Sequence, residues 1–157
     1  MTNSEVRMVP MSTSSDVQRH DDPCLPPGIP LYAMNMVVKW GDMDALGHVN
    51  NAQYFRYFEQ VRLSWYYDSK QGVLGDSNEG FVIVNNYAEY LKPLLWPATI
   101  NVRMAGHSPG RSSFMSTYSI CIGDELYTTG YSKVVWFDSA KKTSVALPSA
   151  VVEQLAP

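Results

Sequence analysis

One stretch of the chain has the repeat of a long amphipathic helix, and it limits which folds are possible. Apolar residues mostly recur every three or four positions up to Asp68, which predicts a helix of about four to five turns. Asn50 and Asn51 stand where a helix cap is expected. Glu59 is expected to be a solvated helix charge, with Arg62, three residues later, as a candidate partner for an ion pair. The periodic residues are Tyr54, Phe55, Phe58, Val61, Leu63 and Trp65.

The other apolar stretches are short, and most alternate or are rich in β-branched and aromatic residues, which is typical of strands. The predicted strands are 32–40, 81–90, 99–104, 114–122 and 126–137. Gly123 and Asp124 form a compact hairpin signal between the last two. A short terminal helix is predicted over 149–155. The sequence therefore predicts an α+β domain, with an antiparallel sheet of about five strands wrapped around one long helix.

The start of the chain differs from the rest. Five of the ten prolines fall within residues 1–30, and no aromatic residue does. We therefore predict a flexible tail over 1–30 and a single domain over 31–157. His20 and Cys24 fall in this tail and are expected to be inert. No second helix is available for the opposite face of the sheet, so a dimer or larger assembly is expected.

Composition excludes several classes of protein. The net charge of −3 argues against a broad nucleic-acid surface. The apolar runs are too short for a transmembrane helix. Cys24 and Cys121 are too few for a disulfide framework or a cysteine zinc site, so reduced thiols in a cytoplasmic compartment are predicted. Three separated histidines form no metal-ligand pair, and Cys121 is expected to be a small core residue.

The loop before the helix concentrates polar chemistry. Asp42, Asp44 and His48 directly precede the predicted helix start. Helix N-termini offer unpaired N–H groups and a positive dipole end, which stabilise an oxyanion. A nearby carboxylate can act as a general base or a nucleophile. The pattern suits addition of water to a carbonyl, but the same residue types also form ordinary turns and caps, so a purely structural loop is the alternative.

The sequence Trp-Gly-Asp-Met-Asp at 40–44, with 48–51 and 54–59, resembles the 4-hydroxybenzoyl-CoA thioesterase family of hotdog-fold enzymes. The resemblance covers about residues 34–137. It implies a single hotdog domain that hydrolyses an acyl-CoA to the free acid and CoA, with a role in fatty acid metabolism. It also implies a homodimer or homotetramer and no metal or redox cofactor.

The resemblance assigns roles to individual residues. Asp44 matches the catalytic carboxylate, which activates water or attacks the thioester directly. The backbone N–H of Asn51 matches the group that polarises the thioester carbonyl. Gly47 lets the backbone approach the substrate closely, and His48 falls in the same substrate-binding loop. Asp42 is expected to orient this turn.

The resemblance places coenzyme A recognition elsewhere. Arg111 matches a basic position that holds the nucleotide, where its fork suits phosphate oxygens. Ser112 and Ser113 are expected to add hydrogen bonds. The alternatives are a thioesterase for acyl carrier protein and a non-catalytic hotdog that binds acyl-CoA or a lipid. A hotdog dehydratase ranks lower, because neither His48 nor His107 has the expected context.

Overall fold

This computed structural model describes residues 22–68 and 78–157. The long helix begins and ends where the sequence predicts, and the five strands are present with a short sixth. A single 3-10 turn replaces the predicted end of the first strand. The elements are β1 (Ile29–Val38), the 3-10 turn (Trp40–Asp42), α1 (Asn51–Asp68), β2 (Glu79–Tyr90), β3 (Ala98–His107), β4 (Ser113–Ile122), β5 (Glu125–Asp138), β6 (Thr143–Ser144) and α2 (Ser149–Gln154).

The strands form one antiparallel sheet in the order β1-β3-β4-β5-β2, with β6 paired to β5. Helix α1 packs on its inner face, where the Phe58 ring stacks on Tyr118 at 4.6 Å between centroids. Gly130 permits this approach, because a Cβ there would lie 2.5 Å from the Phe58 ring. The predicted α+β architecture, a sheet around one long helix, is confirmed.

Helix α1 and the edge strand β2 run in opposite directions. At the start of the helix, the Tyr90 hydroxyl donates to the Asn51 carbonyl at 3.3 Å. At the end of the helix, the Tyr66 and Phe81 rings lie 5.2 Å apart. In the described part of the chain, β2 has no strand on its other side. The last residues of β2 therefore lie beside the helix N-terminus, and its first residues lie beside the end of the helix.

Residues 22–28, here called the strap, cross the outer face of β4. Cys24 is fully buried and forms a disulfide with Cys121, with Cα atoms 6.2 Å apart. The backbone carbonyl of Cys24 accepts a hydrogen bond from the Ser119 hydroxyl, and that of Pro27 accepts one from Thr117. The strap thus covers part of the sheet face that was predicted to have no cover within the chain.

The disulfide corrects two predictions. Cys24 is not an inert tail thiol, and Cys121 is not a free core thiol. The cytoplasmic compartment was predicted from reduced thiols, and the disulfide removes that support. No local pattern signals the pair, because its two members are 97 residues apart. Residues 1–21 of the predicted tail, with His20, and residues 69–77 lie outside the described residues.

No helix within 22–68 and 78–157 is both long enough and apolar enough to cross a membrane.

Candidate active site

The loop between the 3-10 turn and α1 folds back on itself. The Asp44 N–H donates to the His48 carbonyl at 2.8 Å, and the Gly47 N–H donates to the Asp44 carbonyl at 3.1 Å. Met43 and Val49 pair as an isolated antiparallel bridge. Gly47 has φ +80°, a conformation that glycine adopts without steric cost. The loop therefore has a defined shape, with glycine where the backbone requires it.

The side chain of Asp44 is oriented by its own loop. Its Oδ1 accepts hydrogen bonds from the backbone N–H groups of Leu46 at 2.8 Å and His48 at 3.5 Å. Its Oδ2 accepts no hydrogen bond from any described residue. Asp44 is half-buried. One carboxylate oxygen is thus held by the backbone while the other is free to take a proton or form a bond.

The start of α1 presents an open backbone donor beside this loop. Asn50 is the N-cap, since its Oδ1 accepts from the Ala52 N–H at 2.9 Å and its carbonyl accepts from the Gln53 N–H at 2.8 Å. Asn51 is the first helical residue. Among the described residues, nothing accepts a hydrogen bond from its backbone N–H, and its side chain is exposed. This N–H is available to a ligand oxygen, at the positive end of the helix dipole.

Asp42 fastens the loop to the helix. Its buried carboxylate accepts hydrogen bonds from the Lys39 N–H at 2.9 Å, from Gln53 Nε2 at 2.6 Å and from the Tyr57 hydroxyl at 2.8 Å. Its carbonyl accepts from the Asn50 N–H at 2.9 Å. Asp42 therefore holds the 3-10 turn, the helix cap and the first two helical turns together.

These contacts perturb two ionisations. Burial by itself raises the pKa of Asp42, but hydrogen bonds from Lys39, Tyr57 and Gln53 outweigh it and hold the pKa below its ordinary value. Burial, with the hydrogen bond to Asp42, raises the pKa of Tyr57. Asp42 is consequently a fixed anion rather than a proton carrier. Sequence reasoning missed Gln53 and Tyr57, although their four-residue spacing places them on one helix face.

Two tyrosines and a loop carbonyl form the wall beside the helix start. The rings of Tyr54 and Tyr90 meet edge to face at 4.7 Å. The Tyr54 hydroxyl accepts from the Leu94 N–H at 3.3 Å, and the Leu94 carbonyl accepts from the Val49 N–H at 2.9 Å. Burial raises the pKa of Tyr54, and the nearby Asp44 charge adds to this. No local pattern in the sequence marks these residues as part of the site.

The predicted site residues fall into two groups. Asp44, Gly47, His48 and Asn51 lie together at the helix N-terminus, and the His48 side chain is exposed there. The second group lies in the turn before β4. Its members are Arg111, Ser112 and Ser113.

The turn at 111–113 lies at the other end of the sheet. Ser113 pairs with Val135, and Val135 pairs with Val82 on β2. Tyr90 follows Val82 by eight residues, so about 26 Å of strand separates the two groups. Arg111 has an exposed side chain. A single copy of the chain therefore does not bring both groups to one place.

Neither a metal-binding cluster nor an ion pair between Glu59 and Arg62 is present among the described residues. Within the described ranges, no group of three or more His, Cys, Asp or Glu side chains could hold a metal ion. Glu59 is exposed, as expected, and Arg62 is not its partner, because the Arg62 guanidinium turns inward and donates to the Tyr118 hydroxyl at 2.8 Å.

The chain matches known proteins over most of its length. The model of the thioesterase-like superfamily matches residues 38–155. A protein of Aquifex aeolicus (strain VF5) named "Putative esterase" is 29% identical over 121 residues, covering 75% of this chain and 92% of the relative.

Two solved structures of similar fold point to the same superfamily. A Pseudomonas aeruginosa protein named "a putative Thioesterase" superposes with a TM-score of 0.74 and 32% identity, over 81% of this chain and 99% of that one. A thioesterase from Thermus thermophilus, solved with coenzyme A and Zn, superposes with a TM-score of 0.69 and 26% identity, over 81% and 92% of the two chains. The fold and the loop before α1 thus define a hotdog protein of the thioesterase type. This chain belongs to the thioesterase-like superfamily.

Proposed function

We propose that this protein is an acyl-CoA thioesterase that hydrolyses an acyl-CoA to the free acid and coenzyme A. The main support for the proposal is that two groups without a hydrogen-bond partner among the described residues lie at the start of the same helix. One is the free Oδ2 of Asp44, whose Oδ1 is held by the Leu46 N–H at 2.8 Å. The other is the backbone N–H of Asn51, the first residue of α1. Superfamily membership and the coenzyme A complex of the Thermus thermophilus relative support the substrate class.

The reaction follows from these two groups. The Asn51 N–H donates a hydrogen bond to the carbonyl oxygen of the thioester, and Asp44 Oδ2 removes a proton from the attacking water. The water oxygen bonds to the carbonyl carbon, and negative charge develops on the carbonyl oxygen beside the helix dipole. Collapse of this intermediate breaks the carbon–sulfur bond, and the proton held by Asp44 passes to the leaving sulfur of coenzyme A. Direct attack of Asp44 on the carbonyl would use the same carboxylate oxygen.

Other features of the loop suit this chemistry. Gly47 carries no side chain, and a Cβ built there meets nothing within 4 Å, so the substrate can approach the backbone closely. His48 is exposed beside it and is proposed to contact the coenzyme A portion. The Trp-Gly-Asp-Met-Asp and Asn-Asn elements support the narrower relation to the 4-hydroxybenzoyl-CoA thioesterase family.

The working unit is proposed to be a homodimer paired through β2. This edge strand is 12 residues long, and most of its residues are exposed. Val84 at its centre is 61% exposed. An unpaired strand edge of this length is a template for another strand. Antiparallel pairing of two copies about the middle of β2 would be isologous, as in most dimers.

This pairing explains the separation of the two groups of predicted residues. A twofold axis through the middle of β2 brings the first residues of one β2 beside the last residues of the other. Arg111, Ser112 and Ser113 of one protomer then lie at the same end as Asp44 and Asn51 of its partner. Arg111 would bind coenzyme A phosphate across the interface. Each dimer would hold two such composite sites.

The first test replaces the proposed catalytic carboxylate. We expect Asp44→Asn to lower kcat on acyl-CoA roughly 100- to 10,000-fold, because it removes the base, with no change in melting temperature. Asp124→Asn, an exposed aspartate in the β4–β5 turn, is the matched control and should keep full activity. Release of free coenzyme A from acyl-CoA substrates of several lengths is the measurement, with the same acyl groups on acyl carrier protein as a parallel arm. Unchanged hydrolysis in Asp44→Asn would refute the assignment.

A co-expression experiment tests the composite site in the same assay. Asp44→Asn and Arg111→Ala chains should each be defective alone. Their mixed dimers have one intact site, so an equal mixture should recover about a quarter of wild-type kcat/KM. A chain that carries both changes and is expressed alone should show no recovered thioesterase activity. Absence of recovery in the mixture would contradict the shared site and leave the role of Asp44 standing.

A further inference from the structure

The side-chain amide of Gln53, in the first turn of α1, has a fixed orientation. Its Nε2 donates to Asp42 Oδ1 at 2.6 Å. The pKa of Asp42 is lowered, so its carboxylate is ionised at neutral pH and can only accept hydrogen bonds. The nitrogen of the Gln53 amide must therefore face Asp42, and the amide oxygen must point away from that carboxylate.

The oxygen of this amide is open to a ligand. Gln53 Oε1 accepts no hydrogen bond from any described residue, and Gln53 is only half-buried. Among the described residues, the side-chain atoms that are buried without a partner are Arg62 Nε, the Thr128 hydroxyl and Trp136 Nε1. Oε1 is not one of them and is therefore an unused acceptor that solvent reaches.

Gln53 lies at the same end of the helix as the proposed catalytic groups. Helical side chains lean toward the N-terminus of their helix, and the contact with Asp42 shows that the Gln53 amide reaches back to the loop. Met43 is extended, with φ −77° and ψ 148°, so the Cα atoms of Asp42 and Asp44 lie about 7 Å apart. The Asn51 N–H opens at the same helix start.

Three of the open groups at this helix start match the reactants of thioester hydrolysis. The Asn51 N–H is a donor and suits the carbonyl oxygen of the thioester. Asp44 Oδ2 and Gln53 Oε1 are acceptors. The attacking water has two protons to donate, and two acceptors hold it with a lone pair of its oxygen free to attack. A single acceptor would leave the water free to rotate about one hydrogen bond, which reduces the fraction of productive orientations.

We propose that Gln53 positions the attacking water. Gln53 Oε1 accepts one O–H of this water, and Asp44 Oδ2 accepts the other and removes that proton as the water oxygen bonds to the carbonyl carbon. Asp44 later gives the proton to the leaving sulfur, so the carboxylate is restored, and the Gln53 amide exchanges no proton. This inference rests on the proposed thioesterase function and deepens it, because it favours attack by water over direct attack by Asp44.

The first test removes the amide oxygen in two ways. Gln53→Met removes the bond to Asp42 as well and adds no charge, whereas Gln53→Lys keeps a donor for Asp42. The loss of the amide oxygen is common to both variants. Both should therefore lower kcat on acyl-CoA about 10- to 100-fold, the scale expected for a misplaced reactant. Wild-type kcat in either variant would overturn the proposal.

Tyr57→Phe is the matched control for the support of Asp42. The Tyr57 hydroxyl also donates to Asp42, at 2.8 Å, so its removal takes one bond from that carboxylate and leaves the Gln53 oxygen in place. Gln53→Met and Tyr57→Phe should lower the melting temperature by similar amounts, but Gln53→Met should lower kcat much further. An equal loss of kcat in the two variants would show that Gln53 acts only through Asp42, and would overturn the proposal.

A comparison of binding with turnover separates a contact to water from a contact to the substrate. Calorimetry with a thioether analogue of acyl-CoA, which cannot be hydrolysed, should give the same affinity for Gln53→Met as for the wild type. The acid limb of the kcat profile should also stay at the same pH, since Gln53 does not titrate. A loss of affinity as large as the loss of kcat would show that Gln53 binds the substrate instead, which would contradict the proposal.

The same assays distinguish failure of this inference from failure of the thioesterase function. Absence of acyl-CoA hydrolysis in the wild type would overturn both. Hydrolysis by the wild type that is lost in Asp44→Asn but unchanged in both Gln53 variants would overturn the inference and leave the function standing.

Discussion

The loop before α1 and the strap are held to the fold in opposite ways. Asp42 gathers its partners from nearby in the chain, since Lys39 is three residues away and Tyr57 is fifteen. The strap bonds to partners 81 to 97 residues away, through Asp22 with Arg103, Pro27 with Thr117 and Cys24 with Cys121. The loop can assemble with its helix, whereas the strap can be placed only after the sheet exists. We therefore expect damage to the strap to alter stability, and damage to the loop to alter chemistry.

The largest effect on stability is expected from the disulfide. Cys24→Ser should lower the free energy of unfolding by about 2–5 kcal/mol, because the bond closes a long loop in the unfolded chain. The kcat/KM of the folded enzyme should not change. Urea unfolding with and without reductant measures this, and reductant should affect only the wild type.

Cys121→Ser is the matched control, since it removes the same bond from the other side. It should reproduce the loss within about 1 kcal/mol, given the usual context dependence of such values. A large fall in kcat/KM in either serine variant would contradict this expectation, because it would show that the strap also affects the active site.

A smaller loss of stability, joined to a loss of activity, is expected at Asp42. Asp42→Asn replaces an anion that accepts three hydrogen bonds, and should cost about 1–3 kcal/mol. It should also lower kcat, because Asp44 and the Asn51 N–H lose their common support. Tyr57→Phe removes one of the three bonds and should cost about 1 kcal/mol. An Asp42→Asn enzyme with wild-type kcat would show that the loop needs no such support.

The same residue gives the loop a dependence on pH. The pKa of Asp42 is lower in the folded protein than its ordinary value of 3.8. Its stabilising effect is therefore complete above the unfolded value and is lost as the pH falls through the folded value. The difference in unfolding free energy between wild type and Asp42→Asn should be constant near neutral pH and shrink below about pH 4. A constant difference down to about pH 2 would contradict the bonding described here.

The smallest effect is expected at Gly47. Gly47→Ala should cost about 1 kcal/mol, because its φ of +80° disfavours a side chain while the space around it is open. Gly41→Ala is the matched control, since Gly41 has open space and no positive φ. Thermal unfolding of the two variants measures the difference. Equal melting temperatures would show that the loop relaxes without strain.

Much of the candidate site could be predicted from the sequence because its signals are local. Asp44, Gly47 and the Asn50–Asn51 cap lie within one short segment next to a strongly periodic helix, and the structure brings them together. Tyr90 and Leu94 could not be predicted as site residues, because only the packing of β2 and the following turn against the helix places them beside the helix start. The position of Arg111 also depends on the register of the sheet rather than on any local pattern.

The sequence by itself determined the α+β class, the bounds of the long helix and the polar loop before it. Periodicity, caps and turn residues act over a few positions, so they can be interpreted without the fold. Only the tertiary structure decided that Cys24 meets Cys121, that Arg62 donates to the buried Tyr118 hydroxyl, and that Arg111 lies far from Asp44. Each of these depends on which strands pair and which faces are buried, which local propensity does not specify.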